Sequence, residues 1–123
     1  MNYITKIEGI RFINKLLHEK IRDFKSYNKI VKEKFKIYTN VPIFIDESII
    51  LLPIKRFNSY DCIWINYVEI KTFISSGSKT LIKFNDGSIK AFDVPIKKLE
   101  RIIQNALIIK EYFKNLSTES VNT

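Results

Sequence analysis

The hydrophobic period of this chain changes twice, and a proline stands at each change. Before Pro42, apolar residues recur at Ile10, Ile13, Leu17, Ile21, Phe24, Val31 and Phe35. That spacing makes one face of a helix. Between Val41 and Val94 the pattern is strand-like. After Pro95 it turns helical again, with Leu99, Ile102, Ile103, Ala106, Leu107 and Phe113 on a wide apolar face. The expected fold is α+β. A long N-terminal basic amphipathic helix leads, an antiparallel sheet or meander fills the middle, and a C-terminal helix packs on that sheet.

The boundaries follow from local chemistry. The first helix is expected over residues 8 to about 37, because no Gly or Pro interrupts it between Ile10 and Val41. Ser26 and Asn28 are weak helix formers and mark a candidate break. Pro42 disfavours helical geometry at Val41 and ends the segment. Short strands are expected at 41–45 and 49–52, with Asp46-Glu47 as the turn between them. A longer strand is expected from Ile63 to Ile74, with Val68, Ile70 and Ile74 on one side and Tyr67, Glu69, Lys71 and Phe73 on the other. Ser75-Ser76-Gly77-Ser78 reads as a turn, and Asp86-Gly87 as a type I′ hairpin turn that needs positive φ. Pro95 suits the first turn of the second helix, where its missing N–H costs nothing. Residues 1–116 are expected to form a single domain and residues 117–123 a disordered tail.

Composition narrows the function. Lys and Arg number 21 against 13 Asp and Glu, a net charge of +8 and a pI near 9.6. A field of that size attracts polyanions: nucleic acid, anionic lipid or an acidic protein face. No apolar run approaches the roughly 18 residues that span a bilayer, and the first residues lack the apolar core of a signal peptide. The reading is cytoplasmic, with no membrane partner. There is one cysteine, Cys62, and one histidine, His18. Neither an internal disulfide nor a Cys-based zinc site is possible within one chain, and no metal or cofactor is expected. The phosphate-binding, dinucleotide, nucleophile-elbow and zinc-protease motifs are all missing. The chain is therefore read as a binding protein and not an enzyme. Ile, Lys and Asn are abundant while Gly and Pro number three each; the AT-rich codons of the first set point to an AT-rich bacterial genome, or a phage or mobile element within one.

The charged side of the first helix is the most informative motif. Arg11, Lys15, His18, Arg22, Lys25, Lys29, Lys32 and Lys36 follow one another in steps of four and three. On a continuous helix they form one basic stripe of about 40 Å at about 1.5 Å per residue. A stripe of this kind can neutralise several successive phosphates and release their counterions. The competing explanation is a merely solvated helix face. Glu19, Asp23 and Glu33 lie off the stripe. The expected DNA-binding residues are Arg11, Lys15, Arg22, Lys25, Lys29 and Lys32, joined by Lys55 and Arg56 between two strand-like segments. An arginine on such a loop can enter a narrow, AT-rich minor groove. Trp64, a lone Trp in an Ile-rich run, reads as a core anchor ahead of a base-stacking platform; Tyr67 and Phe73 share that ambiguity. Cys62 reads as a buried thiol.

Five segments taken in order resemble one family. They are Val41-Pro42-Ile43-Phe44-Ile45-Asp46, Ile50-Leu51-Leu52-Pro53, Ile63-Trp64-Ile65-Asn66 leading to Lys71, Ile82-Lys83-Phe84-Asn85-Asp86-Gly87, and the helix that follows. Upstream, Arg11-Phe12 resembles the Arg-Phe that opens a basic segment. The set is similar to the ComK family of competence transcription factors, over roughly Ile10 to Lys114. The resemblance implies a bacterial regulator that binds AT-rich double-stranded DNA through the minor groove and works as an oligomer. The chain is expected to be a short family member, without the N-terminal region that precedes the Arg-Phe block and without the long C-terminal tail. A homodimer through the wide face of Ile96–Leu116 fits this reading. The alternative is a phage or mobile-element inhibitor that binds a host protein or nucleoprotein, such as a CRISPR nuclease.

Overall fold

The computed structural model describes residues 2–5, 15, 24–54 and 62–122. Among them are seven strands and two longer helices. The strands are β1 (Tyr3–Thr5), β2 (Ile43–Asp46), β3 (Ile49–Pro53), β4 (Ile63–Asn66), β5 (Ile70–Ser76), β6 (Lys79–Phe84) and β7 (Ile89–Phe92). The helices are α1 (Phe24–Phe35) and α2 (Ile96–Asn122). A single 3-10 turn, Tyr67–Glu69, joins β4 to β5. The strands form two antiparallel sheets: a four-stranded one ordered β1-β4-β3-β2 and a three-stranded meander ordered β5-β6-β7.

The four-stranded sheet is buried on both faces, which explains its continuous apolar runs. From β3, Leu51 joins one core cluster with Ile4, Tyr27, Val31, Ile43, Trp64, Ile109 and Phe113. Its neighbours Ile50 and Leu52 join the other, with Ile65, Ile82, Phe84, Phe92, Leu99, Ile102 and Ala106. The first cluster lies beneath α1 and the C-terminal part of α2. The second lies between the two sheets and the N-terminal part of α2. One helix therefore serves both cores, and this is why its apolar face is wide.

The expected long N-terminal helix needs correction. Residues 3–5 form an edge strand, with Tyr3 opposite Ile65 and Thr5 opposite Ile63. The first helix described along its length is α1, 12 residues from Phe24, about 18 Å at helical rise. The expected stretch from 8 to 23 lies outside the described residues, apart from Lys15. A three-residue strand carries too few side chains for a period to show in sequence. Its stability comes from tertiary partners: Asn66 N–H donates to Asn2 O at 2.7 Å, and the Tyr3 ring meets Phe92 edge-on at 5.5 Å.

α1 runs through Ser26 and Asn28 without a break, and it ends before Pro42 has any influence. Lys36 takes the left-handed conformation, with φ 57°, and its N–H closes the last turn on Lys32 O at 3.1 Å. Beyond it, Ile37 and Val41 leave the helical path to pack on the first core cluster.

The strand expected from Ile63 to Ile74 is two strands separated by the 3-10 turn. Asn66, 2% exposed, forms that corner. Its Oδ1 accepts the N–H groups of Ile50 at 3.1 Å and Val68 at 3.3 Å, and its Nδ2 donates to Ser48 O at 3.2 Å. A register shift between Ile70 and Thr72 then inverts the alternation. Phe73 consequently packs inward on the second cluster, while Ile74 is 59% exposed, the reverse of the sequence reading.

The Asp86-Gly87 turn is not type I′. Only Gly87 has positive φ, at 90°. Gly87 N–H donates to Phe84 O, and Phe84 N–H to Ser88 O, both at 2.9 Å. This is a three-residue loop closed by a glycine bulge. Asp86 Oδ1 accepts from Ser88 N–H at 2.9 Å and from Ser88 Oγ–H at 2.6 Å. These bonds, with a further one from Asn2 Nδ2 at 3.0 Å, hold the Asp86 carboxyl down at about 2. At the other end of the molecule, α2 continues past Leu116, through the segment expected to be a disordered tail, to Asn122.

Candidate nucleic-acid interface

α1 is positioned by its inner face. Tyr27 and Val31, one turn apart, are fully buried. The Tyr27 ring stacks on Phe113 of α2 at 5.5 Å, and its hydroxyl donates to Pro42 O at 2.7 Å. Partly buried Ile30 and Phe35 complete the packing. With that face fixed, helical geometry sends Lys25, Lys29 and Lys32 to the opposite side, and all three are exposed. Lys36 follows in the same four-three step. No ion pair among the described residues engages any of the four. The stripe from Lys25 to Lys36 is about 16 Å long at helical rise. Lys32 and Lys34 also stand in the last turn of α1, where positive charge complements the helix dipole.

Of the other expected DNA-binding residues, Lys15 is exposed. Arg11, Arg22, Lys55 and Arg56 lie outside the described residues, as does His18. Of the eight expected residues, the structure thus brings Lys25, Lys29 and Lys32 together on α1. Trp64, 1% exposed, is a core residue. Cys62 is likewise buried. Tyr67 and Phe73 are partly buried against the second cluster.

Sequence reasoning missed a groove beyond the end of α1. It has a volume of about 420 Å³ and lies between the segment 36–40 and α2. Lys36, Tyr38 and Asn40 face Arg101 and Asn105 across it. Arg101 is exposed, and no acidic side chain is among the described residues that line the groove. Lys97 and Lys98 stand one turn earlier on α2. The sequence signal for this second basic site was the spacing Lys97, Lys98, Arg101. Among the described residues, no group of three or more His, Cys, Asp or Glu side chains could hold a metal ion.

Residues 1–117 of the 123 match the ComK protein family. The chain belongs to the ComK family. No curated protein and no solved structure matches it. The ComK match takes in all five segments singled out in the sequence and reaches upstream of Ile10 to residue 1. ComK proteins are competence-type transcription factors and not enzymes. In this ComK-family chain the blocks that carry the resemblance are chiefly core strands: β2, β3, β4 and β6. Their similarity reports the fold, and the exposed lysines of α1 lie outside them. Among the described residues no helix is long and apolar enough to cross a membrane.

Proposed function

We propose that this ComK-family chain is a transcriptional regulator that binds AT-rich double-stranded DNA, with the exposed lysines of α1 on the phosphates. The carrying observation is the row Lys25, Lys29 and Lys32, exposed and without an ion pair among the described residues. Exposed lysines cost little in water and release counterions when they meet a polyanion. Arg11, Lys15, Arg22, Lys55 and Arg56 remain part of the proposal on the sequence argument. In it an arginine enters the minor groove, whose potential is deepest where A·T pairs narrow it. Acting on DNA, the protein works in the cytoplasm.

Self-association belongs to the same proposal. The two core clusters absorb most of the apolar width of α2, and Leu107 and Ile108 remain exposed at 42% and 52%. Two side chains fall well short of a standard interface, in which roughly 20–30 residues a side take part, so a dimer needs further surface. Light scattering on the full chain tests it: twice the chain mass is expected, and a monomer at all concentrations removes this part.

The family assignment favours regulation over the inhibitor alternative. Competition tests the minor-groove part. A small minor-groove ligand is expected to displace the protein from an AT-rich duplex, and a GC-rich duplex of equal length is expected to bind more weakly at the same salt. Equal affinity for both duplexes, unaffected by the ligand, would remove the AT-rich minor-groove element.

A further inference from the structure

We infer that the groove beyond α1 seats one nucleotide of the bound DNA strand, with its phosphate on Lys36 and Arg101 and its deoxyribose against the ring of Tyr38. The inference rests on the DNA-binding reading above and extends it to a second helix.

Shape and charge agree. The groove volume, about 420 Å³, falls in the range of small-ligand sites, roughly 300–1,000 Å³. It presents two cations from different elements, Lys36 and Arg101, and two amides, Asn40 and Asn105. Arginine matches phosphate geometry with paired donors. Tyr38 is 63% exposed, the large flat side chain of the groove that no core cluster takes up.

The backbone is specialised as well. Lys36 and Asn40, at either end of the groove-lining segment, both adopt positive φ, 57° and 50°. Such geometry is disfavoured for residues with a Cβ and persists where the surroundings enforce it. Asn40 is tied down through Nδ2, which donates to Pro53 O at 3.2 Å. That bond leaves its Oδ1 as an acceptor for a ligand. Lys36 also ends the row Lys25, Lys29, Lys32, so phosphates following the stripe are led into the groove.

The test is a titration of labelled AT-rich duplex against the full chain at several salt concentrations, with folding checked by circular dichroism. Arg101→Gln is expected to weaken binding and to flatten the salt dependence by about one unit. Tyr38→Ala is expected to weaken binding several-fold with the salt slope unchanged, because it removes an uncharged contact. Lys71→Gln, the same charge change on exposed β5, controls for net charge and is expected to shift affinity less than twofold. Wild-type affinity in Arg101→Gln and Tyr38→Ala overturns the groove assignment, as does an equal loss in Lys71→Gln. Saturable binding of free thymidine monophosphate that Arg101→Gln abolishes, with duplex affinity intact, also overturns it. If the wild type itself fails to bind duplex at low salt, the DNA-binding reading falls, a result the variants are not needed to see.

Discussion

The hydroxyl of Tyr27 accepts the backbone N–H of Phe44 at 2.9 Å while donating to Pro42 O at 2.7 Å. β2 is an edge of the four-stranded sheet, so these backbone groups have no neighbouring strand. The phenol of α1 takes the place of one. This single side chain both closes an edge that would otherwise invite another chain and sets the rotation of α1 that turns its lysines outward. Tyr27→Phe removes both bonds at a fully buried site and leaves two backbone groups unsatisfied. The expected loss is about 2–4 kcal/mol, read as a lower urea midpoint with an unchanged slope. A change under about 0.5 kcal/mol would show that water or a shifted strand replaces the hydroxyl.

Asn66 makes a comparable contribution at the corner between the sheets. It accepts from Ile50 and Val68 and donates to Ser48 O, so no smaller or differently polar residue serves all three. Asn66→Ala is expected to cost about 2–4 kcal/mol. Asn66→Asp is expected to be no better near neutral pH, because an ionised carboxylate cannot donate to Ser48 O. Denaturant unfolding of both variants checks this. An Asp variant as stable as the wild type would mean that the amide nitrogen contributes nothing.

Asp86 gives a pH signature. Its carboxyl is lowered from 3.8 to about 2, chiefly by the Ser88 hydroxyl, then by the Ser88 N–H and by Asn2. The folded value lies below the unfolded one, so the associated stability is present above pH 4 and is lost as pH falls through about 2. The side chain is fully open to solvent, which keeps the effect small. Carboxyl-detected NMR should place the Asp86 midpoint near 2, and Ser88→Ala should move it up toward 3.8. A wild-type midpoint near 3.8 would contradict the hairpin geometry.

Much of this fold is legible in the sequence, and the failures have physical causes. The strands 43–46 and 49–53 and the start of α2 at Ile96 follow from apolar runs and from Pro95, because those signals are local. The phase of Phe73 and Ile74 does not, since one 3-10 turn and one register shift invert an alternation that looks unbroken on paper. α1 ends at Phe35, short of residue 37, because Lys36 turns left-handed without glycine, for reasons that lie in the packing of Ile37 and Val41. At the candidate site, Lys25, Lys29 and Lys32 were readable from spacing alone. The facing of Lys36 and Arg101 was not, because 65 positions separate them in sequence and only the docking of α2 brings them together.

The core strands and the binding surface should separate under mutation. Ile43→Ala or Leu51→Ala, both at 0% exposure, is expected to cost about 2–5 kcal/mol of stability while leaving the DNA affinity of the folded fraction unchanged. Thermal unfolding beside a binding titration at low temperature checks both halves. An affinity loss without a stability loss would place these residues in the interface.

The central claim is that α1 meets DNA phosphates through Lys25, Lys29 and Lys32. Its most direct test is the salt dependence of binding to one AT-rich duplex, for the wild type and for the triple variant with Gln at all three positions. The account predicts that the logarithmic slope shrinks by about 2.7, close to 0.9 for each phosphate contact removed, with the fold retained. A triple variant whose slope and affinity match the wild type would contradict it.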